Sequence, residues 1–247
     1  MSDDLGRSAV VAKTIVLGKL ANSRTVLQRA LRDHPDKIDT GSVGRVVAEL
    51  WNAIERVQRE SDLEVIRGIE GDTAKQYFGV FDELITAQKK DFTFHERNRR
   101  PPLDRVNALL SFVYTLLYHD IRSAIESCGL DPAVGFLHRD RPGRMSLALD
   151  LMEEFRSFFA DRLVLSLINL KQVQGKEFAI AENGAVLMND DARKKVLAAY
   201  QTRKQDAVYH PFVGKNMHIG ILFQVQALLM ARLIRGDIDG YPPFFWR

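Results

Sequence analysis

Three places in the sequence present a residue that can bind a hard metal ion, and each has an unusual setting. The first is Arg67–Gly71, where the carboxylate of Glu70 stands between two glycines inside a helical pattern. A glycine costs about 1 kcal/mol relative to alanine in a helix interior. Two of them indicate that a neighbouring helix or a nucleic-acid backbone approaches closely. A tight helix crossing would account for the glycines but not for Glu70.

The other two places are a histidine on a predicted loop and a pair of acids on a predicted helix. His138 ends the apolar run Gly135–His138, where a hydrogen-bonded structural role is the ordinary alternative. Asp150 and Glu153 stand three residues apart, which places them on one face of a helix. Because acids on an apolar helix are costly to bury alone, a divalent ion or an arginine is expected beside them.

One histidine with two or three carboxylates is an oxygen-rich ligand set, which favours Mn²⁺ or Mg²⁺ over Zn²⁺. Such an ion polarises a phosphate and lowers the pKa of an attacking water or 3′-hydroxyl, so Glu70, His138 and Glu153 predict phosphodiester chemistry. Their spacing matches no short local motif. A structural helical protein, in which Glu153 contacts Arg139 or Arg144 instead of a metal ion, therefore remains an alternative.

Two arginine clusters are candidates for binding DNA phosphates. One lies in Arg97–Arg100 before a Pro-Pro pair, and the other includes Arg139, Arg141 and Arg144. Guanidinium groups bind phosphate oxygens in pairs, and the net charge of +3 permits an anionic partner. Solvated loop charge is the alternative for either cluster alone. The candidate DNA-binding residues are Arg99, Arg100, Asn107, Arg141 and Arg144.

The elements that must position these residues are almost all helical. Apolar residues recur with helical spacing, Asp62 is a candidate N-cap, and Asn183-Gly184 is a strong signal for a tight hairpin turn. The prediction is an all-α fold of one multi-helix domain over 1–247, with one small β-hairpin near 177–188. The predicted helices cover residues 8–32, 43–59, 62–87, 103–125, 145–171 (with a possible bend), 190–204 and 215–235.

Composition places the chain among ordinary folded proteins. It is 46% hydrophobic and 27% charged, which is enough apolar material for a real core. The single cysteine, Cys128, excludes an intramolecular disulfide and favours a reducing compartment. No apolar segment follows Met1, so neither a signal peptide nor a membrane span is expected there, and we predict a cytoplasmic protein.

The same motifs resemble the family of CRISPR-associated protein one, the integrase of CRISPR spacer acquisition. The resemblance spans nearly the whole chain, and the closing Tyr-Pro-Pro-Phe-Phe-Trp-Arg is similar to the ending of the type I-C branch. The residues that carry it are Gly18–Arg24, Gly68–Gly71, Tyr77-Phe78, Arg100–Pro102, Asn107–Ser111, Gly135–His138 and Leu147–Arg156.

The resemblance implies roles for these residues. Three positions bind the catalytic metal in the family, and they match Glu70, His138 and Glu153 here. Asp150 matches another acidic position at the site. Family members cut branched DNA and join the 3′-hydroxyls of a short DNA fragment to the CRISPR repeat. Ser157 departs from the proline common in this branch, which we expect to affect the helix bend more than the chemistry.

The resemblance also implies partner proteins and a β-rich domain that this chain is expected to lack. Family members form homodimers and assemble with a small ferredoxin-like CRISPR partner protein. They typically begin with a β-rich domain that joins two subunits, and we expect that domain to be absent from this chain, which puts the homodimer in doubt. The leading hypothesis is a metal-dependent endonuclease and integrase. The alternative is a helical DNA-binding module that has kept its fold and lost turnover.

Overall fold

The computed structural model describes residues 4–139 and 141–246. Within these residues the chain forms eight α-helices and two small antiparallel sheets of two strands each, which confirms the predicted all-α class. No helix among them is long and apolar enough to cross a membrane. The helices are α1 (Leu5–Asp33), α2 (Thr40–Arg59), α3 (Leu63–Gly79), α4 (Arg105–Ser127), α5 (Ser146–Phe155), α6 (Arg162–Asn169), α7 (Asp190–Arg203) and α8 (Ile219–Arg235).

The first three helices pack against one another and supply part of the lining of the cavity that contains Glu70. Each begins at an aspartate whose carboxylate accepts a hydrogen bond from a first-turn backbone N–H: Asp4, Asp39 and the predicted cap Asp62. Helix α1 contacts α2, α3 and α5 along its length. The third helix was predicted to reach residue 87, but α3 ends at Gly79 and a single 3₁₀ turn follows.

The predicted long helix over 145–171 bends, as the sequence allowed. Helix α5 ends at Phe155, a π-helical turn covers Arg156–Asp161, and α6 continues from Arg162. Nearly all of α5 is buried, because α1 packs on one side of it and α4 on the other. π-helical turns inside α-helices often mark functional sites. Here the turn brings acids and cations from one helical segment toward the same cavity.

The two hairpins pack against the helices, the first on α4 and the second on α8. Strands β1 (Phe178–Ile180) and β2 (Val186–Met188) form the hairpin predicted at 177–188, with Gly184 at φ +79° in its turn. Strands β3 (Ala207–His210) and β4 (Lys215–His218) form a second hairpin.

The second hairpin corrects the sequence prediction. The helix predicted to start at residue 215 starts at Ile219, because residues 215–218 pair with β3. The turn before β4 holds Gly214 at φ +71°, in the left-handed region that glycine adopts readily. The alternation in Ala207–His210 and the Pro-Phe-Val-Gly turn after it were the signals available.

Candidate metal centre

The three predicted metal ligands line one cavity of about 700 Å³, although they come from distant parts of the chain. Glu70 projects from α3, Glu153 from α5, and His138 from the loop between α4 and α5. The lining also includes side chains from α1, from α4 and from the π-helical turn. Helix packing thus brings together what the sequence separates by 68 and 15 residues, counted from 70 to 138 and from 138 to 153.

Asp150 holds His138 in place. Its carboxylate is fully buried and accepts hydrogen bonds from the backbone N–H groups of Phe136 (2.6 Å), Leu137 (2.9 Å) and His138 (2.9 Å). The Nδ1 of His138 lies 2.6 Å from Asp150 Oδ1. Because the carboxylate accepts a hydrogen bond from Nδ1, Nε2 is the ring nitrogen that can bind a metal ion when the ring is neutral. Asp150 therefore orients the histidine and has its own oxygens occupied.

The loop can approach Asp150 this closely because residue 135 is glycine. A Cβ atom on Gly135 would lie 2.7 Å from the Cβ of Ser146 and 2.9 Å from Asp150 Oδ2. No side chain fits there without a shift of the backbone. Gly135 is thus part of the machinery that presents His138.

Glu153 is a buried carboxylate surrounded by positive charge. Its Oε1 lies 3.1 Å from Arg156 Nη2 and 3.9 Å from His138 Nε2, and its Oε2 lies 2.7 Å from Lys19 Nζ. Burial disfavours the charged form, but Arg156, Lys19 and His138 outweigh that effect and lower the pKa of Glu153 to about 2. Glu153 is therefore ionised at neutral pH and can serve as a metal ligand.

Lys19 of α1 lies between two of the predicted ligands. Its ammonium group pairs with both Glu70 and Glu153, and only 13% of its side chain is exposed. Burial by itself would lower the pKa of Lys19, but the two carboxylates raise it above its usual value. The sequence reasoning gave Lys19 no role. The available signal was a lysine on the buried face of an amphipathic helix.

The donors fit a hard divalent ion in kind, with one rearrangement. Among the described residues, no three His, Cys, Asp or Glu side chains stand close enough to hold an ion as they are placed. Lys19 Nζ fills the space between the carboxylates of Glu70 and Glu153. Glu153 Oε2 is buried and accepts no hydrogen bond, and the nearby Lys19 ammonium group contacts it only as an ion pair. An ion binding here would displace the Lys19 ammonium, a single positive charge, from these oxygens.

A second buried acid lies deeper in the same cavity. Asp161, at the end of the π-helical turn, accepts hydrogen bonds from the hydroxyls of Tyr77 (3.1 Å) and Tyr114 (2.5 Å). Burial raises the pKa of Asp161 to about 6, although both hydroxyls act to lower it. The guanidinium groups of Arg97 and Arg156 lie 5.3 and 5.1 Å from the Tyr114 ring centre. The sequence analysis named Tyr77 only within a family motif and Arg97 only within an arginine cluster, and it gave Asp161 and Tyr114 no role.

The predicted DNA-binding arginines divide into two groups. Arg99 and Arg144 line the cavity, whereas Arg100 and Arg141 are exposed outside its lining. Arg139, predicted to neutralise Glu153 if no metal bound, instead pairs with Glu64 on α3 at 2.5 Å. The arginine beside Glu153 is Arg156, which the motif analysis had not singled out.

Asn107, which was predicted to contact DNA, has a fully buried side chain in this structure. Its Nδ2 donates to the Glu96 carbonyl (2.8 Å) and to Asp104 Oδ2 (2.6 Å). Its Oδ1 accepts from Arg97 Nη1 (2.6 Å) and from the Asn98 backbone N–H (3.1 Å). Asn107 therefore organises the loop that carries Arg97 and Arg99, and it has no free polar atom for a nucleic acid.

The chain is similar in sequence to proteins of one family. Residues 1–202 match the model of a family described as "CRISPR associated protein Cas1". The chain is 60% identical over 247 residues to "CRISPR-associated endonuclease Cas1 1" of Chlorobaculum tepidum. The alignment covers all of this chain and 72% of that protein.

Solved structures share the fold. A "Casposase bound to integration product" superposes with a TM-score of 0.85 at 24% identity, over 99% of this chain and 66% of that one. A "Partial Cas6-RT-Cas1--Cas2 complex" superposes with a TM-score of 0.81 at 23% identity, over 100% of this chain and 70% of that one. The chain thus spans about two thirds of the length of these proteins.

Proposed function

The chain belongs to the family of CRISPR-associated protein Cas1, and we propose that it is a metal-dependent DNA endonuclease and integrase of CRISPR spacer acquisition. The observation that carries the proposal is the convergence of Glu70, His138 and Glu153 on one cavity. The same cavity holds Lys19 and Arg156, two cations suited to phosphate oxygens. Carboxylates, an imidazole and cations in one cleft suit metal-dependent phosphodiester cleavage.

The residues divide the chemical work among them. A bound Mn²⁺ or Mg²⁺ supplies Lewis-acid polarisation of the phosphate and a lowered pKa for the attacking water or 3′-hydroxyl. Glu70, Glu153 and the Nε2 of His138 would hold it, and Asp150 keeps the His138 ring in the required orientation. Lys19 and Arg156, which pair with Glu153 in the metal-free site, would neutralise charge on the phosphate.

The proposed substrates are branched DNA and a short DNA fragment whose 3′-hydroxyls are joined to the CRISPR repeat. Arg99 and Arg144 at the cavity and Arg100 and Arg141 outside it would contact phosphates. The name of the Chlorobaculum relative supports the endonuclease activity, and the casposase structure is described as bound to an integration product.

We further propose assembly with the small ferredoxin-like CRISPR partner protein. A structural neighbour described as a "Partial Cas6-RT-Cas1--Cas2 complex" supports a protein partner. The homodimer of the family stays a prediction. Size-exclusion chromatography with light scattering, with and without the partner, measures both association states.

The proposal is tested by cleavage of a labelled branched DNA in Mn²⁺, Mg²⁺ or EDTA. Cleavage is expected only with a divalent ion, and Glu153→Gln and His138→Ala should reduce it at least about 100-fold. The matched control is Glu177→Gln, which also alters a buried glutamate paired with a lysine, here Lys195, outside the cavity lining.

Three results would count against the proposal. Cleavage that survives EDTA would exclude the metal-dependent reaction. DNA binding without cutting in any of the ions would favour the alternative, a helical DNA-binding module without turnover. Equal losses in Glu153→Gln and Glu177→Gln would show that the effect is one of stability and not of chemistry.

A further inference from the structure

Residues 241–246, called the 241–246 segment below, run back across the helices beside the site. Phe244 is fully buried, with its ring centre 5.2 Å from that of Phe158. The Trp246 ring stacks on Phe158 at 5.8 Å, and the guanidinium groups of Arg29 and Arg162 lie 4.0 and 4.4 Å from its centre. The segment is therefore an integral part of the packing, although it lies beyond the residues that match the family model.

Glu154, the neighbour of the predicted ligand Glu153, is held by this segment. Its carboxylate is fully buried and accepts hydrogen bonds from the Tyr241 hydroxyl (2.5 Å) and the Phe244 backbone N–H (2.7 Å). Gln226 of α8 donates to it at 2.7 Å and also to the Tyr241 hydroxyl at 2.8 Å. Two neighbouring residues of α5 thus face different ways: Glu153 lines the cavity, and Glu154 binds the 241–246 segment.

Asn22 ties the same segment to α1. Its Nδ2 donates to the backbone carbonyls of Glu154 (2.8 Å) and Phe244 (2.9 Å), and its Oδ1 accepts from the Trp246 backbone N–H (2.8 Å). Asn22 is fully buried and stands one helical turn from Lys19. A single amide therefore links α1, α5 and the 241–246 segment.

The segment also packs directly on the backbone next to Lys19. A Cβ atom on Gly18 would lie 3.0 Å from the Cβ of Pro243 and 3.3 Å from the Cγ of Glu154. Close approach of α1, α5 and the segment at this point depends on the glycine. The segment thus contacts α1 and α5 at the residues next to Lys19 and Glu153.

We propose that the 241–246 segment is a brace that fixes α1 against α5, with Tyr241 as a positioning residue for Glu153 and Lys19. The inference rests on the proposed function, because it assigns the brace to the metal centre. Displacements of about 1 Å in an active site can cost about 100-fold in rate. A brace of fully satisfied buried hydrogen bonds opposes such displacements.

Tyr241→Phe tests the brace, and Tyr200→Phe is its matched control. Tyr200 is equally buried and donates one hydrogen bond to a carboxylate, that of Asp120, at 2.8 Å, outside the cavity lining. Tyr241→Phe should lower kcat at saturating DNA at least about 10-fold and leave KM for DNA within about twofold. It should also weaken Mn²⁺ binding, measured from free Mn²⁺ by electron paramagnetic resonance, whereas Tyr200→Phe should change neither quantity.

A double-mutant cycle gives a readout that needs neither metal nor turnover. If the brace sets the Lys19–Glu153 contact, the Tm loss of the double variant Tyr241→Phe/Lys19→Met should be smaller than the sum of the losses of the two single variants. The reason is that Tyr241→Phe already weakens the Lys19–Glu153 contact that Lys19→Met removes. Tyr200→Phe and Lys19→Met should be additive. Additivity in both cycles would overturn the brace. Wild-type protein that neither binds Mn²⁺ nor cuts DNA would refute the proposed function and leave the cycle to decide the brace.

Discussion

Lys19→Met is the sharpest single change that the site offers. Methionine keeps the apolar stem of the lysine and removes the ammonium group that pairs with Glu70 and Glu153. Removing one partner of a buried ion pair costs roughly 3–5 kcal/mol. The cost should be lower here, about 2–3 kcal/mol, because Glu153 keeps Arg156 at 3.1 Å and 24% of the Glu70 side chain is exposed.

The expected change in Tm follows from this free energy. For a domain of this size, about 1 kcal/mol corresponds to roughly 2–4 °C, so metal-free Lys19→Met protein should melt roughly 4–12 °C below wild type. The ammonium group and a divalent ion would occupy the same space, so Mn²⁺ should stabilise the variant more than wild type. The two Tm values should approach each other as Mn²⁺ saturates the site.

The assay is differential scanning calorimetry in EDTA and at increasing Mn²⁺. Lys195→Met is the control, because it removes the ammonium that pairs with the largely buried Glu177, outside the cavity lining. Its Tm should not respond to Mn²⁺ differently from wild type. If Lys19→Met leaves the metal-free Tm unchanged, or if Mn²⁺ raises both proteins equally, the inferred competition between Lys19 and the ion is wrong.

Three further predictions concern the orientation of the histidine, pH and DNA affinity. Asp150→Asn should weaken Mn²⁺ binding about 10–100-fold in calorimetric titration, because His138 Nδ1 loses its carboxylate acceptor; unchanged binding would contradict the orienting role. The pKa of Asp161 is raised from 3.8 to about 6, so the folded protein keeps a proton that the unfolded chain releases. Its stabilising contribution is complete below pH 4 and should be lost by up to about 3 kcal/mol as pH rises through 6. Urea unfolding of wild type and Asp161→Asn should show this difference, and a constant difference across that range would refute it. Replacing Arg99 or Arg144 by alanine should each reduce the slope of log K for DNA binding against log salt by about 1, and unaltered slopes would remove both from the interface.

Local patterns in the sequence were sufficient for most of the elements. Helical periodicity located α1, α2 and α4, and Asn183-Gly184 located the first hairpin, because side-chain period and turn chemistry act over a few residues. The ends were less determined. Helix α3 stops at Gly79, and residues 215–218 join a strand, since both outcomes depend on what packs nearby.

The residue types and motifs of the sequence by themselves singled out Glu70, His138 and Glu153, because carboxylates and imidazole carry their chemistry wherever they stand. Only the tertiary structure placed Lys19 between the acids and buried Asn107 away from solvent. Those outcomes depend on which helix faces cross, and a contact between residues 19 and 153 leaves no local trace in the sequence. Burial and charge pairing are properties of the packed molecule, so the electrostatics of this site were decided by packing.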